Sequence, residues 1–130
     1  MNEFAMAFDF GTKRIGVAIG QRITATASPA GIVRAKDGIP FWETIDKLVQ
    51  KWKPSVFIVG LPLNMDGSAS EMSKAATRFS KRLHGRYGIR TQLVDERLST
   101  FEAKEFESPK KIDAIAAKII LETWLNAEKY

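Results

Sequence analysis

Three acidic residues occupy settings in which a carboxylate is costly to bury. Asp9 ends the otherwise apolar run Phe4-Ala5-Met6-Ala7-Phe8, Glu96 follows the last strand-like stretch in Val94-Asp95-Glu96-Arg97, and Asp113 falls in the first turns of a C-terminal helical pattern. At about 100° per residue Asp113 and Ile120 differ by only about 20° around that helix, and Ile112, Ala116 and Ile119 lie on the neighbouring face. Asp113 is therefore expected to lean toward whatever the helix packs against. Two carboxylates ~4 Å apart repel by about 4 kcal/mol at an effective dielectric of ~20, so three that meet require protonation or a divalent cation. The chain has no Cys and one His, which leaves hard oxygen ligands and favours Mg²⁺ or Mn²⁺. Such a cluster predicts two-metal phosphodiester hydrolysis, with ions roughly 3.5–4 Å apart activating water and neutralising the leaving oxygen. Asp9 would bridge the ions, Glu96 and Asp113 would each complete the shell of one, and Lys13, Arg14 and Arg97 would hold the phosphate backbone.

Spacing alone leaves each acid a plainer role. Asp9 could cap the turn at Gly11, Glu96 could pair with Arg97 at the surface, and Asp113 could answer the macrodipole near a helix N-terminus. The segment Asn64-Met65-Asp66-Gly67-Ser68 is open in the same way: a turn with an N-cap, or a loop whose backbone N–H groups face a phosphate, with Asn64 and Ser68 as contacts. His84 reads as a surface residue at a helix end. Trp42, Trp52 and Trp124 fall at helical spacing among apolar groups and read as core or interface rather than base-stacking platforms.

The elements that must position these groups follow from periodicity. Residues 4–9 and 14–20 read as strands close enough to form a hairpin, and 23–33 as a third strand interrupted by Pro29. Phe41, Ile45, Leu48, Val49 and Trp52 give an amphipathic helix stopped by Pro54, and the uniformly apolar 56–60 reads as a central strand. Ser68 with Glu71 has capping-box spacing for a second helix ending near Gly85, residues 92–95 give a last strand, and Ser108-Pro109 opens a final helix. The order predicts an α/β domain spanning residues 1–130: a mixed five-stranded sheet, three antiparallel strands followed by helical crossovers, with helices on both faces.

Composition bounds the partners. With 130 residues, 45% hydrophobic and 27% charged, the chain suits one domain that buries about two thirds of its unfolded surface. The absence of Cys excludes disulfides, thiolate metal sites and Cys nucleophiles, and a single His argues against a Ser-His triad. No apolar run approaches the ~18 residues of a membrane span and the N-terminus lacks a signal pattern, so a cytoplasmic location without membrane association is expected. A net charge of +5 biases the protein toward polyanions such as nucleic acid.

Four stretches in chain order resemble one family. Asp9-Phe10-Gly11-Thr12-Lys13-Arg14-Ile15-Gly16-Val17-Ala18, Gly60-Leu61-Pro62-Leu63-Asn64-Met65-Asp66-Gly67-Ser68, Asp95-Glu96-Arg97-Leu98-Ser99-Thr100 and Asp113-Ala114-Ile115-Ala116-Ala117 look like the YqgF/RuvX family. The resemblance implies a ribonuclease H-like fold similar to Holliday-junction resolvases, and a bacterial cytoplasmic nuclease associated with processing the 5′ end of precursor 16S ribosomal RNA. It places the family's proposed catalytic acids on Asp9, Glu96 and Asp113. The stretch between Phe106 and Asp113 is shorter than the family's loop and keeps only Lys110 and Lys111 of a basic run. Precursor rRNA and branched DNA are both candidate substrates, for a monomer or a homodimer. Two rivals carry different tests: a non-catalytic nucleic-acid-binding module would bind without metal-stimulated cleavage, and an actin- or sugar-kinase-like phosphotransferase, suggested by Asp9-Phe10-Gly11-Thr12, needs two domains where this chain offers one.

Overall fold

The computed structural model describes residues 3–95 and 109–127, with side chains described for 3–95 and 114–127. The elements are β1 (Phe4–Asp9), β2 (Arg14–Gln21), β3 (Thr26–Lys36), β4 (Ile39–Pro40), α1 (Trp42–Trp52), β5 (Val56–Leu61), α2 (Glu71–Tyr87), β6 (Arg90–Asp95) and α3 (Pro109–Ala127). They form one six-stranded sheet in the order β4-β3-β2-β1-β5-β6. The β1–β4 pairings are antiparallel, and β5 and β6 run parallel to β1 after helical crossovers.

Five strands were expected and the described residues form six; the extra one is β4. Asp37 and Gly38 adopt φ of 52° and 81°, the paired positive values of a tight hairpin turn, and fold Ile39–Pro40 back onto Lys36 and Ala35. The third strand accordingly runs to Lys36 rather than Val33. It starts at Thr26, because Ile23 lies in the preceding turn, 74% exposed. Pro29 sits beside a register shift, where Ala18 pairs with Pro29 and Val17 with Gly31, so that Ala30 is the extra residue of a bulge.

Period-two alternation divides the core between the two faces of the sheet. Met6, Phe8, Ile15, Val17, Ile19, Phe57 and Val59 point to one side and meet Ile45 of α1 and Ala76, Phe79 and Leu83 of α2. Rings fill that layer: Phe79 packs edge-on against Phe8 at 5.4 Å and is stacked by Trp42 at 6.1 Å. Across it, the exposed Arg86 and the half-buried Tyr87 of α2 both donate to the Asp46 carboxylate of α1, Arg86 through two bonds of 3.0 and 2.8 Å.

On the other side Ala5, Ala7, Ala18, Val56 and Ile58 meet Ala117, Ile120, Leu121, Trp124 and Leu125 of α3. This floor is built of small residues and the helix lies close on it: a Cβ on Gly20 would stand 3.0 Å from a Leu121 methyl and 2.7 Å from the Thr26 carbonyl oxygen. Trp124 is anchored by an indole N–H donated to Gln92 of β6 at 2.7 Å, so it belongs to the core as expected. No described helix is long and apolar enough to cross a membrane.

The second helix begins at Glu71, not at Ser68. Its N-cap is Ser70, whose hydroxyl accepts from the Ser73 N–H at 2.9 Å while the Ser73 hydroxyl accepts from the Ser70 N–H at 2.8 Å. Ser70 Oγ also donates to the Pro62 carbonyl at 2.6 Å, which ties the helix start to the loop after β5.

Candidate nucleic-acid interface and active site

Because β1, β5 and β6 are parallel, their C-terminal ends lie at one border of the sheet. Phe8 is level with Val59 and Val59 with Leu93, so β1 ends at Asp9 and β6 ends at Asp95 along the same margin. Asp9 pairs with Gly16 of β2. Ala5 and Ala7 face α3, so the same alternation puts Asp9 on the α3 side, half-buried, with no side chain on the residue opposite.

The β1–β2 turn places Lys13 and Arg14 beside that acid. Its tightness depends on Gly11, where any Cβ would run into the Arg14 carbonyl oxygen. The β3–β4 hairpin braces the turn from outside: Gly38 N–H donates to Thr12 C=O at 3.0 Å and Ala35 N–H to Lys13 C=O at 2.9 Å.

The loop after β5 opens at the same margin and is largely bonded to itself. Asn64 donates through its amide to Ser68 Oγ at 3.0 Å, Ser68 donates through both N–H and hydroxyl to Asp66, at 2.9 and 2.6 Å, and Gly67 N–H goes to Asn64 C=O at 2.9 Å. The backbone donors of Gly67 and Ser68 are thus engaged within the turn. Met65 at its tip is 92% exposed.

Glu96 and Arg97 lie outside the described residues, directly after Asp95 in the chain. Position 113 is in α3, one turn ahead of Ala117 and two ahead of Ile120, both fully buried against the sheet. Among the described residues no group of three or more potential metal-ligating side chains is gathered. His84 lies at the exposed end of α2, its Nδ1 3.0 Å from the Ile89 carbonyl, as its spacing indicated.

Sequence reasoning overlooked two residues at this border. Phe41 was assigned to the apolar face of α1, yet it is the helix N-cap residue and 58% exposed, while Trp42 takes the core position. Arg34 pairs with Arg14 across β2 and β3 and lines an open cleft of about 450 Å³ with Lys13, Arg14, Ile32, Ala35 and Phe41. A usable signal was Asp37-Gly38, which sets the hairpin that folds Phe41 back beside Arg34.

Solved structures share the architecture. T. thermophilus RuvC in complex with a Holliday junction substrate superposes with a TM-score of 0.58 at 12% identity, covering 98% of this chain and 96% of that one. The yeast mitochondrial Holliday junction resolvase Ydc2 gives 0.60 at 10% identity, covering 96% and 78% respectively. These likenesses establish the ribonuclease H-like fold. At the level of sequence, a protein of Sodalis glossinidius named "Putative pre-16S rRNA nuclease" is 51% identical over 93% of this chain and 92% of its own length. The family described as RuvX, Holliday junction resolvase, matches residues 3–127, from the strand that ends in Asp9 to the last turn of α3. With that match and a relative half identical along nearly the whole chain, the protein belongs to the RuvX family.

Proposed function

We propose that this protein is a metal-dependent nuclease that hydrolyses phosphodiester bonds of RNA, acting in the 5′-end processing of precursor 16S rRNA. The observation that carries this reading is the placement of Asp9 at the sheet margin, opposite a glycine and beside the Lys13-Arg14 turn. A carboxylate there can hold a cation while two basic residues hold the phosphate it serves. The substrate comes from the 51% identical relative and its name.

Asp9, Glu96 and Asp113 are the proposed ligands and catalytic acids. All three are carboxylates, a donor set that suits Mg²⁺ or Mn²⁺. A divalent cation bound there supplies an activated water and offsets charge on the leaving oxygen. The protein's own part is to fix Asp9 by strand pairing and to hold the phosphate chain through Lys13, Arg14 and Arg97, with Asn64 and Ser68 on the loop after β5 as further contacts. Action on branched DNA is the second reading, favoured by the family's description and by a fold shared with junction-bound RuvC; it requires a dimer to present two sites symmetrically.

The test is Asp9→Asn, which keeps shape and removes charge. Mn²⁺- or Mg²⁺-dependent cleavage of a precursor rRNA fragment should fall by more than about a hundredfold with the melting temperature unchanged, since losing an inner ligand exceeds the 10–100-fold typical of outer-shell changes. A variant that cuts as fast as the parent overturns the metal assignment.

A further inference from the structure

We propose that the sheet surface beside Asp9 continues outward as a cleft for one unpaired polynucleotide strand, with Lys13, Arg14 and Arg34 on its phosphates and Phe41 stacked against a base. The proposal rests on the nuclease reading and adds to it a path for the substrate.

The strand register lays out the surface. On the α3 side, Asp9, Gly16 and Ile32 form one cross-strand row. The next row holds Arg14 and Arg34, and it extends to Phe41, whose N–H donates to the Arg34 carbonyl at 2.9 Å. With strands ~4.8 Å apart and a rise of ~3.4 Å per residue, Arg34 stands roughly 10 Å across the sheet and 7 Å along it from Asp9, and Phe41 one step farther. The two rows therefore form one surface running from the proposed catalytic acid to the sheet edge.

Beyond Asp9 the cleft is one-sided in charge: the described residues that line it include three cations and no carboxylate. Neither Lys13 nor Arg34 meets an acidic side chain among the described residues. Register sets Arg14 directly opposite Arg34, so two guanidinium-bearing residues share one row of the sheet face and can track successive phosphates of a backbone laid along it.

Phe41 identifies the kind of polyanion. It leaves the aromatic core to Trp42 and presents its ring at the rim of a basic cleft, although burial would have rewarded packing it. Cations tracking a backbone beside an exposed ring are the elements of single-strand recognition, because an unpaired base offers its face for stacking and a paired one does not.

The experiment measures anisotropy of a short fluorescein-labelled single-stranded RNA titrated with the full chain. The same sequence is run as single-stranded DNA and as duplex RNA, and cleavage of precursor rRNA is assayed in parallel. Phe41→Ala should weaken single-strand binding roughly five- to a hundredfold, Phe41→Trp should restore it, and duplex binding should change little. Arg34→Ala should lower the slope of log affinity against log salt by about 0.7. Lys47→Ala, on the exposed side of α1, is the control. Both tested side chains are exposed, so melting temperatures should hold.

Parent-like binding by Phe41→Ala and Arg34→Ala, with Asp9→Asn still inactive, overturns the cleft and leaves the nuclease intact. Equal losses on single strand and duplex overturn the stacking role of Phe41. A parent protein that neither binds nor cleaves any of these nucleic acids overturns both readings.

Discussion

Gly11 sets the distance between the acid at the end of β1 and the cations that open β2. A methyl group there would meet the Arg14 carbonyl oxygen, which is backbone and cannot swing away. Gly11→Ala should therefore open the turn, destabilise the fold by about 1–3 kcal/mol in urea unfolding, and reduce cleavage by displacing Lys13 and Arg14 from Asp9. At this scale the sequence was informative where burial is expensive: a lone charge in the run from Phe4 to Asp9 marked that position before any geometry was known. It was silent on Phe41, because a phenylalanine one residue ahead of a helix satisfies apolar periodicity as well as Trp42 does, and only the hairpin fold-back separates them.

Elements were legible where their periodicity is unbroken: β1 and β5 match their expected bounds to within a residue, whereas the bulged β3 lies three residues later than its pattern suggests. Helix α2 was found, yet its start was placed two residues early, because Ser68 and Glu71 have the same spacing as a capping pair. The hydroxyl of Ser68 is engaged by Asp66, while Ser70 is held by both Ser73 and the Pro62 carbonyl. Ser70→Ala should accordingly cost about 1–2 kcal/mol in chemical denaturation, and Ser68→Ala less than about 0.5. A strand of two residues such as β4 has no periodicity to read, and only the Asp-Gly turn ahead of it could have announced it.

The link between α1 and α2 makes a prediction in pH. Hydrogen bonds from Arg86 and then Tyr87 hold the Asp46 carboxyl down at about 2, against a usual 3.8, while burial and the bond to Asp46 push the Tyr87 phenol up. A carboxyl whose folded pKa is depressed stabilises the fold above its unfolded value and loses that contribution as pH falls toward the folded one. The parent's melting temperature should therefore drop between about pH 4 and 2 more than that of Asp46→Asn, and parallel curves would show that this link contributes nothing measurable.

At the level of the whole molecule, charge and layering act together. A chain with net charge +5, three of its cations in one cleft beside the proposed catalytic acid, should bind RNA with an affinity that falls linearly on a log scale with salt; affinity independent of salt would rule out phosphate contacts as the source of binding. The antiparallel opening strands and the parallel arrivals were readable from the order of periods, as was a helix layer on each face. A meeting of distant acids is beyond the reach of spacing and stays part of the proposal, since it depends on register between strands that the sequence does not specify.

The bulge at Ala30 and the proline beside it have a bearing on solubility. β4 covers β3 only at Ala35 and Lys36, so among the described residues no strand pairs with the rest of β3's outer border. Pro29 offers no amide hydrogen there and the bulge distorts the ladder, so an incoming chain meets an interrupted template instead of a flat one. The border is thereby guarded against fibrous self-stacking, and a concentrated stock of this protein should stay dispersed without a partner to shield that flank.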